Sequence, residues 1–115
     1  MKNLVLLFLL FISKSGFSND KPVLETVKIK TSAICGMCKK TIERNLAFEK
    51  GIASSDLDVD SKIVTIKYNP KKTNLIKIKK NITMSGYDAD DLVANTKAYN
   101  GLEDCCKKDA TSHKD

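Results

Sequence analysis

Cys35 and Cys38 are the residues of this sequence best suited to do chemistry, because they lie two residues apart at a change of structure. The alternating run at 27–30 predicts a strand before them, and Ile42 with Leu46 predicts one face of a helix after them. A thiol pair there lies near free backbone N–H groups and the positive end of the helix dipole, which favour thiolate. Thiolates bind soft metal ions or exchange disulfides, so these two chemistries must be distinguished.

The chain begins with a segment typical of a secretory signal peptide. Lys2 precedes nine uninterrupted apolar residues at 4–12, and small and polar residues follow as far as Ser18. Nine helical residues reach only about 14 Å, against roughly 30 Å of bilayer hydrocarbon, so we expect no permanent membrane span. We therefore expect residues 1–18 to be removed and the protein to be exported, either to the periplasm or cell envelope or as a secreted protein. An uncleaved anchor is the alternative.

Composition limits the rest of the chain to one small domain with an ordinary globular balance. The 115 residues are 42% hydrophobic and 30% charged, with a formal net charge of +6. The lysines are scattered, and the chain lacks the basic stripe with stacking aromatic residues that nucleic-acid binding requires. We expect no nucleic-acid partner.

Hydrophobic periodicity after the signal predicts two β-α-β units in succession. Each helix has one apolar stripe and the sheet has one apolar face, which favours an α+β class. The predicted fold is a ferredoxin-like βαββαβ sandwich, with two helices on one face of a four-stranded antiparallel sheet. The expected segments are a lead at 19–22, the domain at 23–93 and a Cys-containing tail at 94–115. The predicted elements are strand 25–31, a helix from 37 or 38 to 49, strands 52–60 and 62–68, a helix capped by Thr73 and ending near 84, and strand 87–93.

A set of positions in and after the cysteine loop shares one pattern: Cys35-x-x-Cys38-x-x-x-Ile42-Glu43-x-x-Leu46, Gly51-Ile52, Leu57-x-Val59, Val64-Thr65-Ile66-x-Tyr68-Asn69-Pro70, Leu75, Ile78, Ile82 and Gly86-Tyr87. This pattern resembles the heavy-metal-associated domain family. The resemblance implies a soft metal ion, usually Cu(I), held by Cys35 and Cys38 on an exposed loop and passed between proteins by ligand exchange. It also places Tyr87 near the metal, and some exported relatives resemble periplasmic mercury-binding proteins and copper chaperones.

Two positions depart from the family's pattern. Ala33 stands where a Met is usual, and Met37 lies between the cysteines, where a small residue is common. Met37 either donates a thioether to the metal or packs beside the helix start.

The expected partners are a metal-transporting membrane protein or another metal-binding domain that docks with a monomer.

Ligand chemistry points independently to a soft ion. Two thiolates without a neighbouring His or carboxylate suit a low-coordination ion, which favours Cu(I), with Hg(II) and Zn(II) as alternatives. A structural Zn(II) site requires four ligands, and residues 32–40 supply two. A Cu(I) bis-thiolate carries a net negative charge, which the helix N-terminus and Lys39 would stabilise.

Two other uses of the pair compete with metal binding. A thioredoxin-like oxidoreductase also carries CxxC at a strand-to-helix junction, but no Trp precedes the pair here. Such folds place a cis-Pro opposite the pair, whereas Pro70 opens a helix. A structural disulfide between Cys35 and Cys38 would be strained in so tight a loop. We expect no catalysis.

Cys105 and Cys106 in the tail leave three alternatives open. They are further metal ligands, with or without His113, or they form disulfides with the domain, or they are exposed thiols. About 12 residues separate the tail pair from the last predicted strand, enough to extend about 40 Å. Reach is therefore not limiting, and we expect the pair to join the site of Cys35 and Cys38.

Overall fold

A computed structural model describes residues 22–108 of the chain. The predicted signal at 1–18, most of the lead segment and the end of the tail with His113 lie outside the described residues. None of the described helices is long and apolar enough to cross a membrane. The elements are β1 (Glu25–Lys30), α1 (Gly36–Ala47), β2 (Ile52–Asp58), β3 (Ile63–Tyr68), α2 (Leu75–Met84), α3 (Thr96–Asn100) and a 3₁₀ turn (Asp104–Cys106).

The three strands form one antiparallel sheet with β3 in the centre, in the order β1-β3-β2. Ile29 of β1 lies opposite Val64 of β3, and Leu57 of β2 lies opposite the same residue from the other side. The tight turn between β2 and β3 includes Lys62 at a φ of 63°. The predicted hairpin is therefore present, and alternation along each strand sends one set of side chains into the core.

Both helices bury the stripe that their spacing predicts. Cys38, Ile42 and Leu46 of α1 are buried, as are Ile78 and Ile82 of α2. They form one core cluster with the inner residues of the sheet. Burying each such aliphatic side chain contributes about 1.5–3 kcal/mol, so the core holds the N-terminus of α1 in place.

The second helix begins one residue later than predicted. Asn74, not Thr73, is its N-cap, since the Asn74 side chain accepts a hydrogen bond from the Lys77 N–H at 2.9 Å. Thr73 is instead buried against Gly51, where its methyl group packs. Both residue types cap helices well, and burial of the Thr73 side chain decides between them.

The α+β class is confirmed, but the segment predicted as a fourth strand forms only single bridges. Ala89 bridges to Thr31, just beyond β1, and also to Leu92. Asp90 adopts a φ of 53°, which turns the chain back on itself, so that the Ala89 and Leu92 backbones bond to each other. A local turn therefore replaces most of the ladder that a strand at 87–93 would make, and the described sheet has three strands.

Gly86 sets how closely the tail approaches the domain. Its φ is +99°, and a Cβ there would lie 3.0 Å from the Ala98 oxygen and 3.0 Å from Leu102 side-chain atoms. The left-handed backbone and the close approach both require glycine.

Gly86→Ala should therefore destabilise the protein. The left-handed conformation alone costs about 1–2 kcal/mol for a residue with a Cβ, and the overlap with Leu102 adds to that cost. Chemical denaturation of both proteins measures the change in the free energy of unfolding. Gly101→Ala is the control, because a Cβ at Gly101 meets nothing closer than 3.6 Å. Equal stability of the two variants would contradict the tight docking of the tail.

Candidate metal centre

The two loop cysteines lie at the first turn of α1. Cys35 is the N-cap residue, and its carbonyl accepts the first helical hydrogen bond from the Lys39 N–H at 3.1 Å. The Sγ atoms of Cys35 and Cys38 are 3.2 Å apart. Cys38 is fully buried, whereas Cys35 is half-buried. The pair thus joins one accessible sulfur to one that the core protects.

Hydrogen bonds on both sides hold the loop between β1 and α1. The Thr31 hydroxyl donates to the Lys62 carbonyl at 2.8 Å and accepts from the Ala33 N–H at 3.2 Å. The Ser32 hydroxyl oxygen accepts from the Asp88 N–H at 2.9 Å. Ala33, which replaces the family's usual Met, is completely buried, so this position packs the core.

The tail brings its two cysteines to the same place. The Sγ of Cys106 lies 3.8 Å from the Sγ of Cys35 and 3.8 Å from that of Cys105. The Sγ atoms of Cys35, Cys105 and Cys106 all lie within 4.8 Å of one another. All four cysteines are free thiols. Cys106 is buried and Cys105 is half-buried, so the tail pair adjoins the loop pair.

Contacts at several points dock the tail against the domain. The Asn95 N–H donates to the Thr83 carbonyl at 2.9 Å, and the Asn95 side chain caps α3 by accepting from the Ala98 N–H. Farther on, Lys108 forms an ion pair with Asp88 at 2.6 Å, and its N–H donates to the Tyr99 hydroxyl at 3.0 Å. The tail cysteines lie between these two anchoring regions.

The surroundings shift the pKa values of the two loop thiols in opposite directions. Burial raises the pKa of Cys38, but interactions with the Ile34 backbone and with Cys35, Tyr87 and Cys106 outweigh it, so the pKa falls below its usual value. The pKa of Cys35 is raised by burial, and the Cys38 sulfur adds to the effect. The α1 N-terminus, whose first turn has no acidic residue, favours the negative charge on Cys38.

Tyr87 lies close to the sulfur atoms of Cys38 and Cys106. The ring is 1% exposed, and its hydroxyl has no hydrogen-bond partner within residues 22–108. Burial raises the pKa of Tyr87, and the sulfurs of Cys38 and then Cys106 raise it further. The hydroxyl therefore keeps its proton and is available to stabilise negative charge on these two sulfurs.

The Lys39 ammonium is engaged on the far side of its helix turn. It bonds Asp56 at 2.9 Å, Glu43 at 3.1 Å and the Leu57 carbonyl at 2.7 Å. Hydrogen bonds to Asp56 and then Glu43 raise the pKa of Lys39. Asp56 and Glu43 neutralise the positive charge of Lys39, which the sequence predicted would stabilise the thiolates. The helix N-terminus is therefore the nearer source of positive potential.

Met37 is half-exposed at the edge of the sulfur cluster. Its Sδ accepts a weak contact from the Cys105 thiol at 3.8 Å, and its side chain is 50% exposed.

Sequence reasoning missed how the tail is anchored. The Asn95 side chain three residues before Ala98 is a recognisable cap signal, whereas the pairing of Asp88 with Lys108 has no local signal.

Comparison with known proteins identifies the family of this fold. The sequence model of the heavy-metal-associated domain matches residues 29–88, slightly more than half of the chain. The chain belongs to the heavy-metal-associated domain family. The match includes Cys35, Cys38 and Tyr87, and it ends before the tail. No curated protein sequence matches the chain.

Solved structures show the same domain. A CopZ metallochaperone is 26% identical, with a TM-score of 0.55 over 56% of this chain and 98% of its own. The N-terminal domain of a potential copper-translocating P-type ATPase from Bacillus subtilis, solved in the Cu(I)-loaded state, is 25% identical. Its TM-score is 0.56 over 59% of this chain and 86% of its own. Oxidised MerP from Ralstonia metallidurans CH34, 19% identical with a TM-score of 0.56 over 58% and 94%, shares the fold.

Proposed function

We propose that the protein binds a soft metal ion through Cys35 and Cys38 and passes it to another protein, with Cu(I) as the favoured cargo. The observation that carries the proposal is the 3.2 Å sulfur pair at the N-terminus of α1, in a chain of the heavy-metal-associated family. Thiolates are the ligands that soft ions prefer, and a helix N-terminus stabilises the negative charge of a bis-thiolate complex.

Two considerations favour Cu(I) over Hg(II) and Zn(II), which remain the alternatives. The loop by itself supplies two sulfurs and no nitrogen or oxygen side-chain ligand, which suits an ion of low coordination number. The structural relatives with the higher identities are named as a metallochaperone and as a Cu(I)-loaded domain. Hg(II) is the cargo suggested by the name MerP, but that relative is less similar in sequence.

The unequal burial of the pair gives ligand exchange a direction. Cys35 is accessible to an incoming thiolate, whereas Cys38 is completely buried. The metal would therefore gain a bond to the partner's sulfur as its bond to Cys35 breaks, and Cys38 would release it last. Cys35, with its raised pKa, takes up a proton readily as it leaves. No sulfur changes its oxidation state in this exchange.

The partner in such an exchange must present its own thiolates on an accessible surface. We propose another metal-binding domain or a metal-transporting membrane protein, docking as one copy against one copy of this chain. The named relatives include both a separate chaperone and a domain of a P-type ATPase, which supports both kinds of partner.

We also propose that the protein works outside the cytoplasm, on the basis of the signal-like segment at 1–18. The mature chain should begin near Asn19 and be recovered from the cell envelope or the medium. Intact mass measurement of the protein in each cell fraction tests this. Full-length protein beginning at Met1 and confined to the cytosol would contradict export.

Replacing both Cys35 and Cys38 with Ser should remove high-affinity Cu(I) binding while leaving a cooperative fold. The Cu(I) affinity should fall further than the about 10–100-fold expected when a residue that supports a ligand is removed, because the metal's own ligands are gone. Anaerobic competition with a chromophoric Cu(I) chelator measures the affinity. Gly36→Ala is the matched control, since it alters the same loop at a position where an added Cβ meets nothing within 4 Å.

Unchanged Cu(I) affinity in the double variant would contradict the assignment of the loop pair. A thiol–disulfide oxidoreductase is the alternative function of the same cysteines. It would be favoured if the wild-type protein catalysed the reduction of insulin disulfides and the double variant did not. A metal carrier instead binds its ion stoichiometrically and shows no turnover.

A further inference from the structure

The tail cysteines occupy positions that the family match does not include. The match ends at residue 88, and the polypeptide then returns through α3 so that Cys105 and Cys106 reach the loop. Cys106 is 3% exposed, and its Sγ lies 3.8 Å from the Sγ of Cys35. The site therefore combines a pair that belongs to the domain with a second pair that the tail adds.

The spacing of these sulfurs suits a higher coordination number than two. Four sulfurs around one ion at about 2.3 Å form a tetrahedron with edges of about 3.8 Å, whereas two sulfurs bound linearly are about 4.6 Å apart. The distances from Cys106 to Cys35 and to Cys105 are both 3.8 Å. Cys38 lies 3.2 Å from Cys35 but outside the group of three sulfurs that are all within 4.8 Å of one another, so it must move toward the tail pair to become the fourth ligand.

Contacts that do not involve the cysteines dock the tail against the domain. Its anchors are the Asn95 bond to Thr83, the packing of Leu102 against Gly86 and the ion pair of Lys108 with Asp88. Ordering a free tail costs conformational entropy, so a floating tail would bind metal weakly. Here folding has already met that cost, and the sulfurs are preorganised.

Tyr87 supplies an independent indication that negative charge is expected between the two cysteine pairs. Its hydroxyl is buried and has no hydrogen-bond partner in the described part of the chain, and the sulfurs of Cys38 from the loop and Cys106 from the tail lie close enough to raise its pKa. Burying a donor without a partner is unfavourable, and a thiolate acceptor would relieve that cost.

We propose that Cys35, Cys38, Cys105 and Cys106 form one four-thiolate centre that accepts a tetrahedral divalent d¹⁰ cation, Zn(II) or Cd(II), in addition to Cu(I). The proposal rests on the proposed function of the loop pair. From the protonated protein, binding replaces four S–H bonds with four metal–sulfur bonds and releases four protons. The centre then carries two net negative charges beside the N-terminus of α1, and no oxidant or reductant takes part.

Cadmium is the probe for this centre, because its thiolate charge-transfer absorbance grows with each bound sulfur. Anaerobic titration of the reduced wild-type protein should give one Cd(II) per chain with four thiolates, and bound Cd(II) should protect Cys105 from alkylation. The double variant Cys105→Ser with Cys106→Ser should show two thiolates and an affinity lower by more than about 10–100-fold. Met37→Leu is the matched control, which removes a sulfur from the same edge and should still show four thiolates.

Two results separate this proposal from the function of the loop. Wild-type protein that binds Cd(II) through two thiolates and leaves Cys105 open to alkylation overturns the four-thiolate centre, even where Cu(I) binding still needs Cys35 and Cys38. This measurement uses the unmodified chain, so a folding defect in a variant does not affect it. Unchanged Cu(I) affinity after loss of Cys35 and Cys38 instead overturns the proposed function.

Discussion

The approach of Cys106 to the sulfur pair at the N-terminus of α1 is the contact on which the rest of this structure depends. Burying thiols that must become thiolates is costly, because a charge leaves water for a less polar surrounding. The N-terminal dipole of α1 and the hydroxyl of Tyr87 offset part of that cost for Cys38. A metal cation would offset much more, which makes the cluster better suited to the bound state than to the free one.

The other elements place these groups and keep them in position. The Ile42 and Leu46 side chains fix α1 against the sheet, and Thr31 fixes the loop that precedes it. Gly86 lets Leu102 approach closely, so the tail lies against the domain at a distance that no other residue would allow. The anchors of the tail are separate from its cysteines, so contacts other than metal bonds hold the sulfurs in place.

Local signals predicted the part of this structure that local interactions determine. The stripe of Cys38, Ile42 and Leu46 predicted α1, and alternation predicted the hairpin of β2 and β3. The predicted fourth strand does not form, because Asp90 turns the chain through a left-handed conformation. Alternation of apolar residues does not reveal such a turn. Thr73 and Asn74 are both good caps, and only tertiary burial of Thr73 chooses between them.

The candidate site was predictable to a similar degree. CxxC spacing at a strand-to-helix junction located the loop pair, and the family resemblance added Tyr87. The geometry of the tail was not predictable, since it depends on the contact of Asp88 with Lys108 and on the capping of α3 by Asn95. Chain length showed that Cys106 could reach the loop, but only the folded structure shows the 3.8 Å approach to Cys35.

Native mass spectrometry of the protein isolated without oxygen tests most directly whether these four cysteines serve as metal ligands. One spectrum reports both the bound metal and the hydrogens lost to disulfides. The account predicts one metal ion per chain, protons displaced by it, and four reduced cysteines after the metal is removed. A metal-free protein that has lost two hydrogens for each of two disulfides, and that binds no metal after reduction, would contradict it.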